Sequence, residues 1–159
     1  MDKLWAPWRI GYIKNINKEK GCLFCRVLKS RKDKKNLVFY RSKYCFAMLN
    51  LYPYNNGHIL IVANSHVKSI ELLKEGHLTD LIKTTAKVKL WLDKTLKPDG
   101  YNIGMNIGRI AGAGFDKHLH MHIVPRWSGD TNFMPSVAGT KIISQSLNNL
   151  YENLVKNKP

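Results

Sequence analysis

The sequence predicts an α+β domain on a mostly antiparallel sheet of about five strands with flanking helices, and three observations carry that expectation. Short runs rich in Val, Ile and aromatic residues are separated by turn-forming clusters. One long segment repeats its apolar residues at helical spacing. Strands and helices come in blocks, an order that favours antiparallel pairing over strict βα alternation. The 159 residues fit one domain, residues 1–159, and 44% apolar with 10% aromatic residues supplies a core, which excludes wholesale disorder and a collagen-like repeat.

In chain order, the first part (about 1–36) is strongly basic. Between Lys14 and Lys43 there are eleven Lys and Arg against two acids, interleaved with the pair Cys22 and Cys25, and the stretch reads as a basic surface loop region. Leu37 to Tyr40, Tyr44 to Leu49 and His58 to Ala63 read as strands, the last two joined through Asn55-Asn56-Gly57 as in a hairpin. Asn64-Ser65 reads as a helix cap before a short apolar turn, Val67 to Leu73. After Gly76, the residues Leu78, Leu81, Ile82, Val88, Leu92 and Leu96 mark a long helix with one face on the sheet, ended by Pro98 and Gly100. Tyr101 to Ile107 alternates, with Asn102, Gly104 and Asn106 forming a polar side that has room for a ligand. A glycine-rich loop and a second alternating strand, His118 to Val124, follow. Ile142, Ile143, Leu147, Leu150, Tyr151 and Leu154 then suggest a closing amphipathic helix, about 140–157.

The net charge of +15 favours anionic partners such as nucleotides, polyphosphates, nucleic acid or acidic membrane surfaces, without choosing among them. The amino terminus lacks an apolar signal core, and apolar runs such as Ile59 to Ala63 are far short of the ~20 residues of a spanning helix. The expectation is a cytoplasmic protein without a membrane partner. Three cysteines do not make the dense framework of a small secreted domain, so Cys22 and Cys25 point to metal or redox use. No βαβ pattern surrounds the pair, which weighs against the redox use. Cys45, within an apolar strand, reads as a small buried hydrophobe, His77 as helix-start filler, and His58 has no clear assignment.

The most informative segment is His118-Leu119-His120-Met121-His122-Ile123-Val124. In an extended strand the period of two puts His118, His120 and His122 on one side and the intervening apolar residues on the other. Three imidazoles that project together have two chemical uses. They can be ligands of a catalytic metal with an open water position, or one can be a nucleophile towards phosphorus while its neighbours hold phosphate oxygens. The preceding loop, Asn106 to Asp116, carries Gly112, Ala113 and Gly114, small residues that let backbone N–H groups approach an anion.

This combination resembles the histidine triad (HIT) nucleotide-binding superfamily, and in particular its diadenosine tetraphosphate phosphorylase branch. Phe46-Ala47-Met48-Leu49-Asn50 with Asn56-Gly57-His58-Ile59-Leu60-Ile61-Val62, Leu4-Trp5-Ala6-Pro7-Trp8-Arg9 and Pro125 to Pro135 extend the match over most of the chain. The resemblance implies a HIT-like fold and cleavage of dinucleoside polyphosphates, most directly phosphorolysis of diadenosine tetraphosphate to ADP and ATP with inorganic phosphate as cosubstrate. His120 would be the nucleophile that forms a nucleotidyl-imidazole intermediate, and His122 would hold phosphate oxygens. Ala113 and Gly114 match positions whose amides meet phosphate, Asn50 the ribose-contacting position, Asn106 an amide near phosphate or sugar, and Trp127 a tryptophan beside the substrate. In zinc-bearing relatives a clip of two cysteines is completed by two histidines, here Cys22, Cys25, His66 and His118, as a structural zinc site. The resemblance also implies a homodimer or larger homo-oligomer. Two other readings stay open at this point: HIT-type hydrolysis of another nucleoside phosphate, and a non-enzymatic nucleotide or RNA binder. A nucleic-acid partner is the less expected, because a compact tetraphosphate already uses a few of the basic charges.

Overall fold

The computed structural model describes residues 21–130 and 143–158. Its elements are α1 (Leu23–Ser30), β1 (Val38–Arg41), β2 (Cys45–Leu49), β3 (Ile59–Ala63), a 3-10 turn (Ile70–Leu72), α2 (Glu75–Leu96), β4 (Gly100–Met105), β5 (His120–Arg126) and α3 (Leu147–Lys156). The strands form one antiparallel sheet in the order β1-β2-β3-β5-β4. This is the expected α+β class.

β2 and β3 are buried along their whole length, because both faces of the sheet are covered there, and near-continuous apolar runs are what such strands require. On one face α2 contributes Leu81, Val88, Trp91 and Leu92, and α3 contributes Leu150 and Leu154, against Ala47, Leu49, Ile59, Ile61, Met121 and Ile123. The Trp91 Nε1–H donates to the Leu154 carbonyl at 3.1 Å, so the largest core ring also ties α3 to α2. On the other face Phe24 and Val27 of α1 cover Val38, Phe46, Met48, Leu60 and Val62. Alternation along β5 sends Met121 and Ile123 to the first face, and His120 and His122 to the face that α1 covers only in part. The β2–β3 connection closes on Gly57 (φ +73°), where a Cβ would lie 2.5 Å from Leu96 Cδ1 and 3.0 Å from Pro125 Cγ. The left-handed φ is what favours glycine there, and a side chain would also have to displace Leu96 and Pro125.

Several expectations change. The basic loop region contains a helix, α1, because Phe24 and Val27 recur at helical spacing and bury against the sheet while the charged residues face outward. Its part before Gly21, like Leu4–Arg9, Thr131–Pro135 and Ile142, lies outside the described residues. Asn64-Ser65 does not cap a helix: the Asn64 N–H closes onto the Tyr44 carbonyl, and the 3-10 turn begins five residues later behind Ser69. Ile82 is 57% exposed, since Thr84, Thr85 and Trp91 take core positions on α2. β4 ends at Met105, before Ile107, and His118 precedes β5. Cys45 is buried as expected. Among the described residues no helix is long and apolar enough to cross a membrane.

Candidate active site

Two hydrogen bonds to backbone carbonyls hold the approach to β5. The Leu119 N–H donates to the Val67 carbonyl at 2.6 Å, and the His118 Nε2–H donates to the Ala63 carbonyl at 2.8 Å. His118 is thereby detached from the ladder yet stays on the same side as His120, and the Phe24 ring packs against both at 5.3 and 5.0 Å. With Nε2 spent, Nδ1 of His118 carries the lone pair and points towards α1.

That lone pair meets three other donor atoms. Cys22 Sγ lies 3.2 Å, Cys25 Sγ 3.6 Å and His66 Nδ1 3.1 Å from His118 Nδ1, and Cys25 Sγ lies 3.3 Å from His66 Nδ1. All four atoms fall within 4.8 Å of one another. Bonds of about 2.0 Å to nitrogen and 2.3 Å to sulfur give a tetrahedral zinc site edges of about 3.3 to 3.8 Å, so the cluster is of the right size and donor chemistry for one zinc ion. The Ala63 carbonyl supplies the outer hydrogen bond that fixes a ligating imidazole. A closed set of four ligands is the structural rather than the catalytic type. His77, read as filler, packs its ring on Tyr44 at 4.2 Å and pairs with the Ser65 hydroxyl at 2.9 Å, next to His66.

His120 is arranged in the opposite sense. Its Nδ1–H donates to the His118 carbonyl at 2.8 Å, which leaves Nε2 with the lone pair. The ring is 5% exposed, and burial holds its pKa below 6.5 although the carbonyl partly counters it. The imidazole is therefore neutral at pH 7 with a bare ring nitrogen, the state a nucleophile requires.

His122 owes its state to a residue the sequence left unassigned. His58 Nδ1 accepts the Tyr54 N–H at 2.9 Å, so its proton resides on Nε2, which lies 2.8 Å from His122 Nδ1. His122 must accept there, and its own proton is placed on Nε2, a buried atom without a partner among the described residues. The chain Tyr54 to His58 to His122 thus ends in a preset N–H donor. Burial first, and neighbouring histidines second, push His58 down to about 3 and His122 down to about 4, so neither carries charge at neutral pH. Parity was the available signal, since His58 precedes Leu60 by two residues and Leu60 pairs with His122.

The remaining positions surround this pair less closely. Asn50, at the end of β2, takes the Tyr52 N–H on Oδ1 at 3.0 Å and turns Nδ2 towards His58 at 3.3 Å. Asn106 and Gly112 come together: a Cβ on Gly112 (φ +92°) would lie 3.6 Å from Asn106 Nδ2. The amides of Gly112 and Ala113 are spent inside their loop on Arg109 and Gly108 carbonyls, Ala113 is buried, and Gly114 is exposed. Trp127 is half-buried in the turn after β5, its N–H on Asp130 Oδ2 at 3.2 Å. The structure brings together His120, His122 and Asn50 by way of His58, and separately the four cluster residues; it does not bring Trp127 into either group.

The HIT domain family model matches residues 31–129. The AP-4-A phosphorylase of Mycobacterium tuberculosis is 35% identical over 155 residues, covering 92% of this chain and 79% of that protein. A solved histidine triad nucleotide-binding protein of Sulfolobus tokodaii superposes with a TM-score of 0.69 at 27% identity, over 86% of this chain and 91% of the other. A zinc-bound histidine triad family protein of Mycobacterium smegmatis shares the fold at a TM-score of 0.70 and 20% identity, over 86% and 92%. With the paired imidazoles above, these likenesses lead to one conclusion: the chain belongs to the HIT domain family, whose enzymes act on nucleotides.

Proposed function

We propose that the protein cleaves dinucleoside polyphosphates, diadenosine tetraphosphate foremost, by moving a nucleotidyl group first to His120 and then to inorganic phosphate. The observation that carries this reading is the neutral, buried His120 ring with Nδ1–H held by the His118 carbonyl and Nε2 bare.

The Nε2 lone pair of His120 forms a bond to the α-phosphorus, and the bond from that phosphorus to its bridging oxygen breaks. ATP leaves with the electron pair. The positive charge that develops on the imidazole is shared with the His118 carbonyl through Nδ1–H. The preset Nε2–H of His122 donates to a phosphoryl oxygen as charge builds there, a donor fixed before reaction and costing no reorganisation. Inorganic phosphate then attacks the same phosphorus, the P–N bond returns its pair to Nε2, and ADP is released. Asn106 and the Gly112-Ala113-Gly114 turn border the phosphates, with Gly112 and Gly114 exposed and Ala113 buried, Asn50 faces the ribose, and Trp127 stands by the substrate. Identity of 35% with a protein named AP-4-A phosphorylase favours phosphate over water as acceptor.

Cys22, Cys25, His66 and His118 would hold zinc, which supplies a structural cross-link between α1 and the start of β5. Reduced thiols at that cluster suit a cytoplasmic setting. The free edge of β4, which carries the exposed Ile103, supports a homodimer.

Incubation with diadenosine tetraphosphate, with and without inorganic phosphate, tests the reading. ADP and ATP formed only when phosphate is present are expected. AMP and ATP formed without it would mean hydrolysis, and no product under either condition would remove the substrate assignment.

A further inference from the structure

Beyond His122 the histidine face of the sheet continues into an open cavity of about 330 Å³, lined by Tyr54, Asn55, Asn102, Val124 and Arg126. Of these residues only Tyr54 has a part in the chemistry above, and only through its backbone N–H on His58. We propose that this cavity holds the second nucleoside, the one that departs with the leaving triphosphate. The proposal rests on the reading that His120 attacks the α-phosphorus.

Position is the first argument. Val124 lies four residues past His120 on one strand, about 13 Å at the usual rise per residue. The transferred nucleoside is bonded directly to the attacked phosphoryl group. The departing one is separated from it by three further phosphates, long enough to pass Val124, and the β4 side of the cavity lies across β5 from β2, whose end carries the ribose-facing Asn50.

The chemistry of the lining is the second. Tyr54 is 56% exposed at the rim, yet it is not loose: its N–H is anchored on His58, and its ring lies stacked against His122 at 5.8 Å and 13°. A fixed, exposed aromatic ring is a stacking platform for a base. Arg126 forks onto Asp130, Nε to Oδ2 at 2.7 Å and Nη2 to Oδ1 at 3.0 Å, and its Nη1 donates to Asn102 Oδ1 at 2.9 Å. Its charge is matched by a carboxylate, so it offers a flat guanidinium and residual N–H groups rather than an open anion site. Asn55, 5% exposed, braces the floor by donating to the Pro125 carbonyl at 2.9 Å and to Asp130 at 2.7 Å. A cavity with a platform, a neutralised planar cation and amides suits an uncharged heteroaromatic base with its sugar. It does not suit the acceptor phosphate.

The test compares Tyr54→Ala, Tyr54→Phe and wild type on diadenosine tetraphosphate and on the p-nitrophenyl ester of AMP, whose leaving group carries no nucleoside. The expected result is that Tyr54→Ala raises the KM ratio of the first substrate to the second about tenfold, the worth of one base stack, and that Tyr54→Phe restores it. An equal loss on both substrates, or no change in the ratio, overturns the proposal. Calorimetry of the full chain with a methylene-bridged dinucleoside tetraphosphate and with AMP gives a reading independent of turnover. Wild type should bind the dinucleotide more tightly, and Tyr54→Ala should erase most of that margin; equal affinities in wild type overturn the proposal. Failure of the enzymatic reading would instead appear as no covalent nucleotidyl-His120 from the AMP ester.

Discussion

His118 and His120 are two residues apart, face the same side of the sheet and pack against the same phenyl ring, yet they are built for opposite tasks. The difference lies in which ring nitrogen is spent on a carbonyl. His118 gives its Nε2–H to Ala63 and turns a bare Nδ1 to two thiols and a second imidazole, whereas His120 gives its Nδ1–H to His118 and turns a bare Nε2 to the open face. His122 is a third case, a donor, because His58 occupies its Nδ1. Histidine is chosen for its two distinguishable nitrogens, and the neighbours decide which one works.

The sharpest way to break this contrast is to remove the nucleophile. His120→Ala should lower turnover of diadenosine tetraphosphate by at least about 10⁴-fold while leaving the metal content unchanged, as read by product assay and elemental analysis. Loss of zinc in that variant would mean that the two ends of the segment do not have separate roles. Next in size is the cluster. One zinc per chain is expected after purification without added metal, and Cys22→Ser or chelation should lower Tm by roughly 6–12 °C, a loss of about 3 kcal/mol. A Tm that does not move would reduce the cluster to an accident of packing.

His58 supplies a finer test. Replacing it with Leu removes the proton that fixes His122, and kcat should fall about 10²-fold with a smaller change in KM. His58→Asn, whose amide can still donate, should recover part of the rate. The smallest expected effect is on stability against pH. His58 near 3 and His122 near 4 both lie below the 6.5 of a free imidazole, so as pH falls the unfolded chain takes up these protons first. Stability should be greatest above about pH 6.5 and decline progressively down to about 3 to 4 from these groups. Urea midpoints at pH 7.5 and 5.0 would check the sign; equal midpoints would contradict burial of two neutral rings.

Much of the frame was legible because its signals are local. Alternation along β5 put three imidazoles on one side, the apolar runs of β2 and β3 announced strands covered on both faces, and the Cys22–Cys25 spacing marked a donor pair. α1 was missed because its apolar stripe is only two core residues wide, Phe24 and Val27, within a lysine-rich stretch. The role of His58 is not local, because it depends on a strand pairing with residues more than sixty positions away.

The residues alone determined the chemistry available to this protein: three imidazoles at a period of two, two thiols, a glycine at the hairpin and a basic excess, each dictated by backbone periodicity, sterics or charge. Tertiary structure alone decided the allocation of that chemistry. The proton on each ring follows from its partner, Ala63 for His118, the His118 carbonyl for His120 and His58 for His122. A neutral imidazole is symmetric in its capacity to donate from either nitrogen, and only a neighbour fixed in space lifts that symmetry.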